Sequence, residues 1–202
     1  MAASEVTHIL ARVESYALIL CWGLFALNFW LRKRPPKVVV AKRDWISLTG
    51  MSLQGAAYIF VWLNPLGRKA ISASQPKSQI LAWVLAVLAV AIAVSSVWLV
   101  NSATRRLGKQ WALAARLVEG HELIQDGPYR WVRNPIYTAM FGMLLATGLA
   151  AGRWIDLLIA IGLFAAGTYI RIRSEERLLR QAFGAEFEAY ARTVPALVPG
   201  IY

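Results

Sequence analysis

The chain has 202 residues, of which 58% are apolar and 16% charged, with a formal net charge of +11 and a mean hydropathy of +0.49. Apolar residues this abundant, gathered in blocks, exclude an ordinary soluble domain. The lone Cys21 excludes an intrachain disulfide or a cysteine-built metal site, and two histidines, His8 and His121, leave no basis for expecting zinc or another metal.

Residues 16–31, 45–63 and 80–100 contain no charged side chain; residues 135–151 contain none either, and residues 154–170 carry only Asp156. A hydrocarbon core of about 30 Å takes roughly 20 helical residues, with a range of about 17–25. The first three blocks reach that length with their flanks. The last two are short and separated only by Gly152 and Arg153, which predicts a tight helical hairpin. The expected fold class is all-α integral membrane, with five transmembrane helices in a single domain spanning 1–202. Glu5 and Glu14 precede the first block and no convincing cleavage site follows it, so it is expected to be a retained helix, not a signal peptide.

Between the blocks, Arg32-Lys33-Arg34-Pro35-Pro36-Lys37 is expected to stop the first helix and face anionic head groups. Asn64-Pro65-Leu66-Gly67 ends the second block with turn chemistry. Lys and Arg sort by loop: residues 32–44, 101–134 and the tail from 171 hold 17 of the 22. Those segments alternate with the poorer ones across five spans. Positive-inside bias therefore puts them, the C-terminus and any site they build in the cytoplasm, with the N-terminus outside, as in a bacterial inner membrane or its equivalent. The same sorting explains the basic charge without a nucleic-acid partner. Trp30, Trp45, Trp62, Trp83, Trp98 and Trp154 fall near block ends, as an interfacial aromatic belt requires. The first three blocks carry no ionisable group of the kind a transport pathway uses.

Beyond residue 100 the character changes. Arg105, Arg106, Lys109 and Arg116 alternate with Leu107, Trp111, Leu113, Leu117 and Val118, which predicts an amphipathic surface segment. A stiff loop follows, Gly127-Pro128-Tyr129-Arg130-Trp131-Val132-Arg133-Asn134-Pro135-Ile136-Tyr137, delivering polar and aromatic groups to the mouth of the fourth span. Free amides at that helix start favour a carboxylate or phosphate. Small residues in the hairpin (Ala139, Gly142, Ala146, Gly148, Ala160, Gly167) permit close helix approach or leave room for a bound chain. The fifth span then runs on as a charged helix in which Arg173, Glu176, Arg177 and Arg180 are spaced to pair on one face, while Leu178, Leu179, Phe183, Phe187 and Tyr190 form an apolar stripe. Phe183-Gly184 breaks or bends it, and residues 194–199 form an extended apolar tail.

The ordered set His121-x-Leu123, Gly127-Pro128-Tyr129, Arg133-Asn134-Pro135-x-Tyr137, Glu175-Glu176, Phe183-Gly184, Tyr190 and Val194-Pro195 resembles the isoprenylcysteine carboxyl methyltransferase family, which belongs with the phospholipid methyltransferases. The resemblance covers roughly residues 100–202. It implies a membrane enzyme using S-adenosylmethionine, with residues 1–100 a three-span scaffold and 101–202 the cofactor-binding catalytic half. It also implies that His121, Leu123, Gly127, Pro128, Tyr129, Arg133, Asn134, Pro135, Tyr137, Glu175 and Glu176 line the cofactor site. Arg133, Glu176 and Arg192 are the catalytic candidates: the arginines as grips for a carboxylate, Glu176 as the acceptor of a proton from an amine or thiol substrate. Asn134 stands where many members carry His; it offers donors and an acceptor but cannot titrate, so a hydrogen-bonding role is expected there. Membrane lipids and a lipophilic or lipidated acceptor are the implied partners. The alternatives are a membrane reductase using a nicotinamide cofactor, against which stands the absence of a Gly-rich dinucleotide loop, and a non-catalytic membrane scaffold.

Overall fold

The computed structural model describes residues 2–31, 38–40, 45–63, 78–108, 117–118 and 122–198. Helices α1 (Ala2–Trp30), α2 (Trp45–Leu63), α3 (Gln79–Leu107), α4 (Pro135–Ala151), α5 (Trp154–Phe183) and α6 (Ala185–Thr193) carry the architecture. Four of these are long and apolar enough to cross a membrane, within Ile9–Trp30, Ile46–Leu63, Gln79–Leu107 and Trp154–Phe183. The fourth of the five expected spans is the shorter apolar helix α4, whose 17 residues sit at the lower limit for crossing the core. The protein is an all-α integral membrane protein.

Besides α5, whose charged extension was expected, two helices run further than their apolar blocks. Helix α1 starts at Ala2, because Glu5, His8, Arg12 and Glu14 interrupt the apolar run without opposing helix formation. Helix α3 continues past residue 100 to Leu107, so Arg105 and Arg106 form its last turn, where cations complement the helix dipole. The expected surface segment therefore begins as part of α3, and its residues 109–116 lie outside the described residues. So do the 32–37 basic run and the Asn64-Pro65-Leu66-Gly67 turn. A small β element was not foreseen: β1 (Val38–Val40) pairs antiparallel with β2 (Leu117–Val118), using a run of β-branched valines.

Helix α5 packs along α2, and α4 along α3, more extensively than α4 and α5 pack on each other. One core joins Leu18, Cys21 and Phe25 of α1 to Ala93 and Val100 of α3 and to Ala139, Met143 and Ala146 of α4. A second joins Ala57 and Val61 of α2 to Leu144, Ala160 and Phe164 of the hairpin. Small residues make these approaches possible. A Cβ on Gly167 would lie 2.5 Å from the Gly50 carbonyl oxygen, and one on Gly50 would lie 2.7 Å from that of Gly167, so α2 and α5 touch backbone to backbone there. The hairpin turn is closed by Gly152 at φ 63°, whose N–H returns to Gly148 and Leu149. Large apolar side chains such as Val87, Leu88 and Leu158 face outward, an arrangement suited to lipid and unsuited to water.

Candidate active site

At the end of the bundle opposite the Gly152 turn, the start of α4 meets the later turns of α5, the short 3₁₀ turn Gly127–Arg130 and helix α6. The sequence dictates this meeting. Gly127 takes φ 59° and Pro128 occupies the first turn, Pro135 opens α4, and the unbroken α5 lifts Glu175 and Glu176 to the same level.

Glu176 is buried at the centre. The Arg133 guanidinium donates to its Oε1 from Nε and from the adjacent amino group, both at 3.1 Å, and Arg180 reaches its Oε2 at 3.2 Å. Arg180 also bonds Glu188 of α6 at 2.7 Å. The second amino group of Arg133 donates to the carbonyls of Ala191, at 2.7 Å, and Val194. Arg133 is thus occupied by Glu176 and by carbonyls in the last turn of α6 and just beyond it. Of the four charged residues expected to pair on one face of α5, Glu176 and Arg180 do so; Arg173 instead lies over the Tyr169 ring, 5.2 Å from its centroid, and Arg177 is exposed.

Glu175 builds a second, more open cluster. Its Oε1 accepts from the Tyr137 hydroxyl and lies 3.6 Å from an Arg171 amino group. The Arg171 guanidinium also sits over the Tyr137 ring, 5.1 Å from the centroid. The Glu175 side chain is 28% exposed against 7% for Glu176. Glu176 is therefore the more enclosed carboxylate, and Glu175 the less enclosed of the two.

The tail docks onto the start of α4. The amides of Arg133 and Asn134 donate to the carbonyls of Pro195, at 2.8 Å, and Ala196, at 3.1 Å. The Asn134 side-chain amide adds a 3.0 Å bond to Ala196, and Thr138 donates to Leu197 at 2.7 Å. Two amides expected to favour an external anion are thus taken by carbonyls of the same chain. Asn134 acts as a hydrogen-bond donor, the role a non-titrating side chain can fill.

The other candidates divide. Pro128, Tyr129 and Pro135 are buried. Leu123 packs against the α6 core of Phe187, Tyr190 and Val194, which Leu179 and Phe183 of the expected apolar stripe also join. The Tyr190 hydroxyl donates to the Tyr129 carbonyl at 2.6 Å. Burial holds both phenols well above their ordinary pKa, with neighbouring Tyr190 and Glu175 adding to the shift at Tyr129, so both remain neutral donors at physiological pH. Arg192 is exposed on α6 and joins no ion pair among the described residues. His121 lies outside the described residues.

The sequence reading missed Gln54, Thr168 and the importance of Arg171. Gln54, buried in α2, donates to Thr168 at 2.8 Å and accepts from Arg171 at 3.4 Å. This ties the first half of the chain to the Glu175 cluster. A lone amide in an otherwise apolar span was the available signal.

Residues 84–186 match the model of the family described as phospholipid methyltransferase. The chain is 30% identical over 104 residues to a Schizosaccharomyces pombe protein named Protein-S-isoprenylcysteine O-methyltransferase, covering 50% of this chain and 44% of that one. It is 27% identical over 126 residues to Bacillus subtilis protein YpbQ, covering 61% and 70%. Against the nickel-cobalt-cadmium resistance protein NccN of Alcaligenes xylosoxydans it is 33% identical over 112 residues, covering 54% and 52%. The chain therefore spans about half the length of the first and third of these relatives.

Proposed function

The chain belongs to the phospholipid methyltransferase family, and we propose that it is an S-adenosylmethionine-dependent methyltransferase acting on a lipophilic acceptor drawn from the bilayer. The observation that carries this reading is the double junction of Arg133 with Glu176 and Tyr137 with Glu175, which joins the loop motif to the paired glutamates at one membrane end.

The residues present suit such a donor. The accessible carboxylate of Glu175 can accept from ribose hydroxyls or an ammonium group. Trp131, 52% exposed beside the Gly127–Arg130 turn, already carries the Arg130 guanidinium 5.8 Å from its ring centroid, and its other face can take a sulfonium cation. Bound there, the cofactor supplies an electrophilic methyl group on sulfur. Glu176 orients Arg133, and Arg133 straps the tail over the start of α4, which restricts water at the reaction centre. A carboxylate acceptor needs no base. For an amine or thiol acceptor, Glu175, the less enclosed of the two, takes the proton at its carboxylate oxygen rather than Glu176. The lesser packing between α4 and α5 supports a lateral entrance for the acceptor between them. An isoprenylcysteine-like carboxylate is one candidate, by likeness to the relative of that name.

The orientation with the site in the cytoplasm and the N-terminus outside is part of this proposal. Arg105, Arg106, Arg130, Arg133, Arg171 and Arg180 gather at the site's end, while Arg153 sits at the hairpin turn on the other side. So is the division into a scaffold over 1–100 and a cofactor half over 101–202, with the qualification that Gln54 of the scaffold supports Arg171.

The test is transfer of isotope-labelled methyl from S-adenosylmethionine to a panel of acceptors by the full chain in lipid nanodiscs. The panel holds a prenylated cysteine carboxylate, a long-chain amine and a long-chain thiol. Transfer to one of them, lost in Glu175→Gln, is the expected result. A folded chain that labels none, or that oxidises a nicotinamide cofactor instead, contradicts the proposal.

A further inference from the structure

Between α1 and α3, outside the cluster just described, runs a cleft of about 580 Å³. Leu24 and Leu27 form one wall and Val94, Val97 and Trp98 the other. The wall is open to the outside of the bundle, with Trp98 56% exposed. Toward one end the lining turns polar, at Asn28, Asn101 and Arg105. That end is on the side of the candidate active site, because the next residue, Arg106, pairs with Asp126 at 2.6 Å beside the Gly127–Arg130 turn.

Arg105 differs from its neighbour. Its Nε donates to Asn101 Oδ1 at 3.2 Å, and it pairs with no carboxylate among the described residues. One of its five N–H donors is used in that bond, and Arg105 lines the polar end of the cleft. The polar end is also pre-set: Asn28 is held by Thr104 at 3.1 Å and Asn101 by Arg105.

Depth identifies the occupant. From Val94 to Arg105 the helix rises roughly 16 Å at about 1.5 Å per residue, close to half of a hydrocarbon core about 30 Å thick. An apolar trough of one leaflet's depth, open sideways and ending in a cation with no carboxylate partner among the described residues, matches an acyl chain below a negatively charged head group. We propose that the cleft binds one acyl chain of an anionic glycerophospholipid from the leaflet on the active-site side, with the phosphate at Arg105 and Asn101. This site is separate from the proposed methyl-transfer centre, and its test does not require methyl transfer.

The test is native mass spectrometry of the full chain released from nanodiscs of equal phosphatidylglycerol and phosphatidylcholine. One retained lipid per chain is expected, with phosphatidylglycerol favoured about fivefold, the equivalent of about 1 kcal/mol for one basic contact. Arg105→Gln is expected to keep a bound lipid and bring that ratio to about one. Val94→Phe, and Leu24→Phe on the facing wall, fill the trough and should remove the lipid whatever its head group. Both replace side chains that face out of the bundle, and unchanged thermal melting serves as the check on folding. Equal retention of the two lipids by the unaltered chain overturns the proposal, as does lipid retention unchanged in a folded Val94→Phe or Leu24→Phe chain. A two-chain mass abolished by those substitutions would assign the cleft to a second copy and overturn it as well.

Discussion

The first three helices bury residues such as Ala89, Ala93, Val100 and Thr104, whereas the last three bury Asp156, Arg171 and Glu176. The difference has a physical reason. Lipid tails are as apolar as leucine, so helices α1–α3 gain little from hiding apolar surface and associate through close shape, with small residues at the contacts. A buried charge has no such latitude: it must find an opposite charge and further donors, or it opposes the fold. The C-terminal half is therefore specified by a few discrete pairs. Gln54 crosses the boundary, an amide from the apolar half completing the polar cluster of the other.

That contrast is broken most severely at Glu176. Replacement by Gln leaves Arg133 without its counter-charge, and loss of one partner of a buried pair costs about 3–5 kcal/mol. The expected result is a lower melting temperature together with faster hydrogen exchange over residues 191–197, because Arg133 also holds that segment. The double replacement Arg133→Met with Glu176→Leu should recover part of the melting temperature, as apolar substitution of the whole pair does elsewhere. Recovery of stability without recovery of methyl transfer would separate the pair's structural and functional roles.

Next in size is the backbone contact of α2 and α5. Gly167→Val introduces a side chain where even a Cβ would meet the Gly50 carbonyl, and overpacking of this kind costs about 1–3 kcal/mol. Thermal unfolding in detergent measures it. A neutral outcome would mean that shape complementarity does not fix the apolar half.

Smaller again is Tyr190→Phe, which removes the bond to the Tyr129 carbonyl at a cost of about 1 kcal/mol. Because burial raises the Tyr190 pKa in the folded protein, its contribution is present below the unfolded value of about 10 and falls as pH rises beyond it. The stability difference between the unaltered chain and Tyr190→Phe should therefore shrink only in alkaline solution. The smallest effect is expected at exposed Arg192, where Ala should change stability by no more than about 0.5 kcal/mol and leave methyl transfer intact. A large loss of transfer would assign Arg192 the carboxylate grip expected of it.

Much of the C-terminal half was legible in sequence because local chemistry marked it. Pro135 and Gly152 bound α4, Gly184 separates α5 from α6, and the continuous helix from Trp154 carries Glu175 and Glu176 back to the loop of Arg133 and Tyr137. The division of labour between the two glutamates was not legible, since adjacent residues differ only in which neighbours the helix turns them toward. The docked tail was hidden for another reason: the bonds from the Arg133 and Asn134 amides to Pro195 and Ala196 involve backbone atoms, which every sequence possesses. The early start of α1 was not legible from hydropathy, because Glu5, Arg12 and Glu14 end the apolar stretch without ending the helix. The β element was not legible because the run at 38–40 is short and its partner at 117–118 lies across two helices in the sequence.

Calorimetric binding of S-adenosylmethionine to the purified full chain and to Glu175→Gln tests the central claim most directly. Micromolar binding is predicted, weakened about tenfold or more in the variant, as loss of one charge-assisted hydrogen bond of about 1.5–3 kcal/mol implies. A folded chain that does not bind S-adenosylmethionine, or a Glu175→Gln chain that binds it as tightly as the original, would contradict the account.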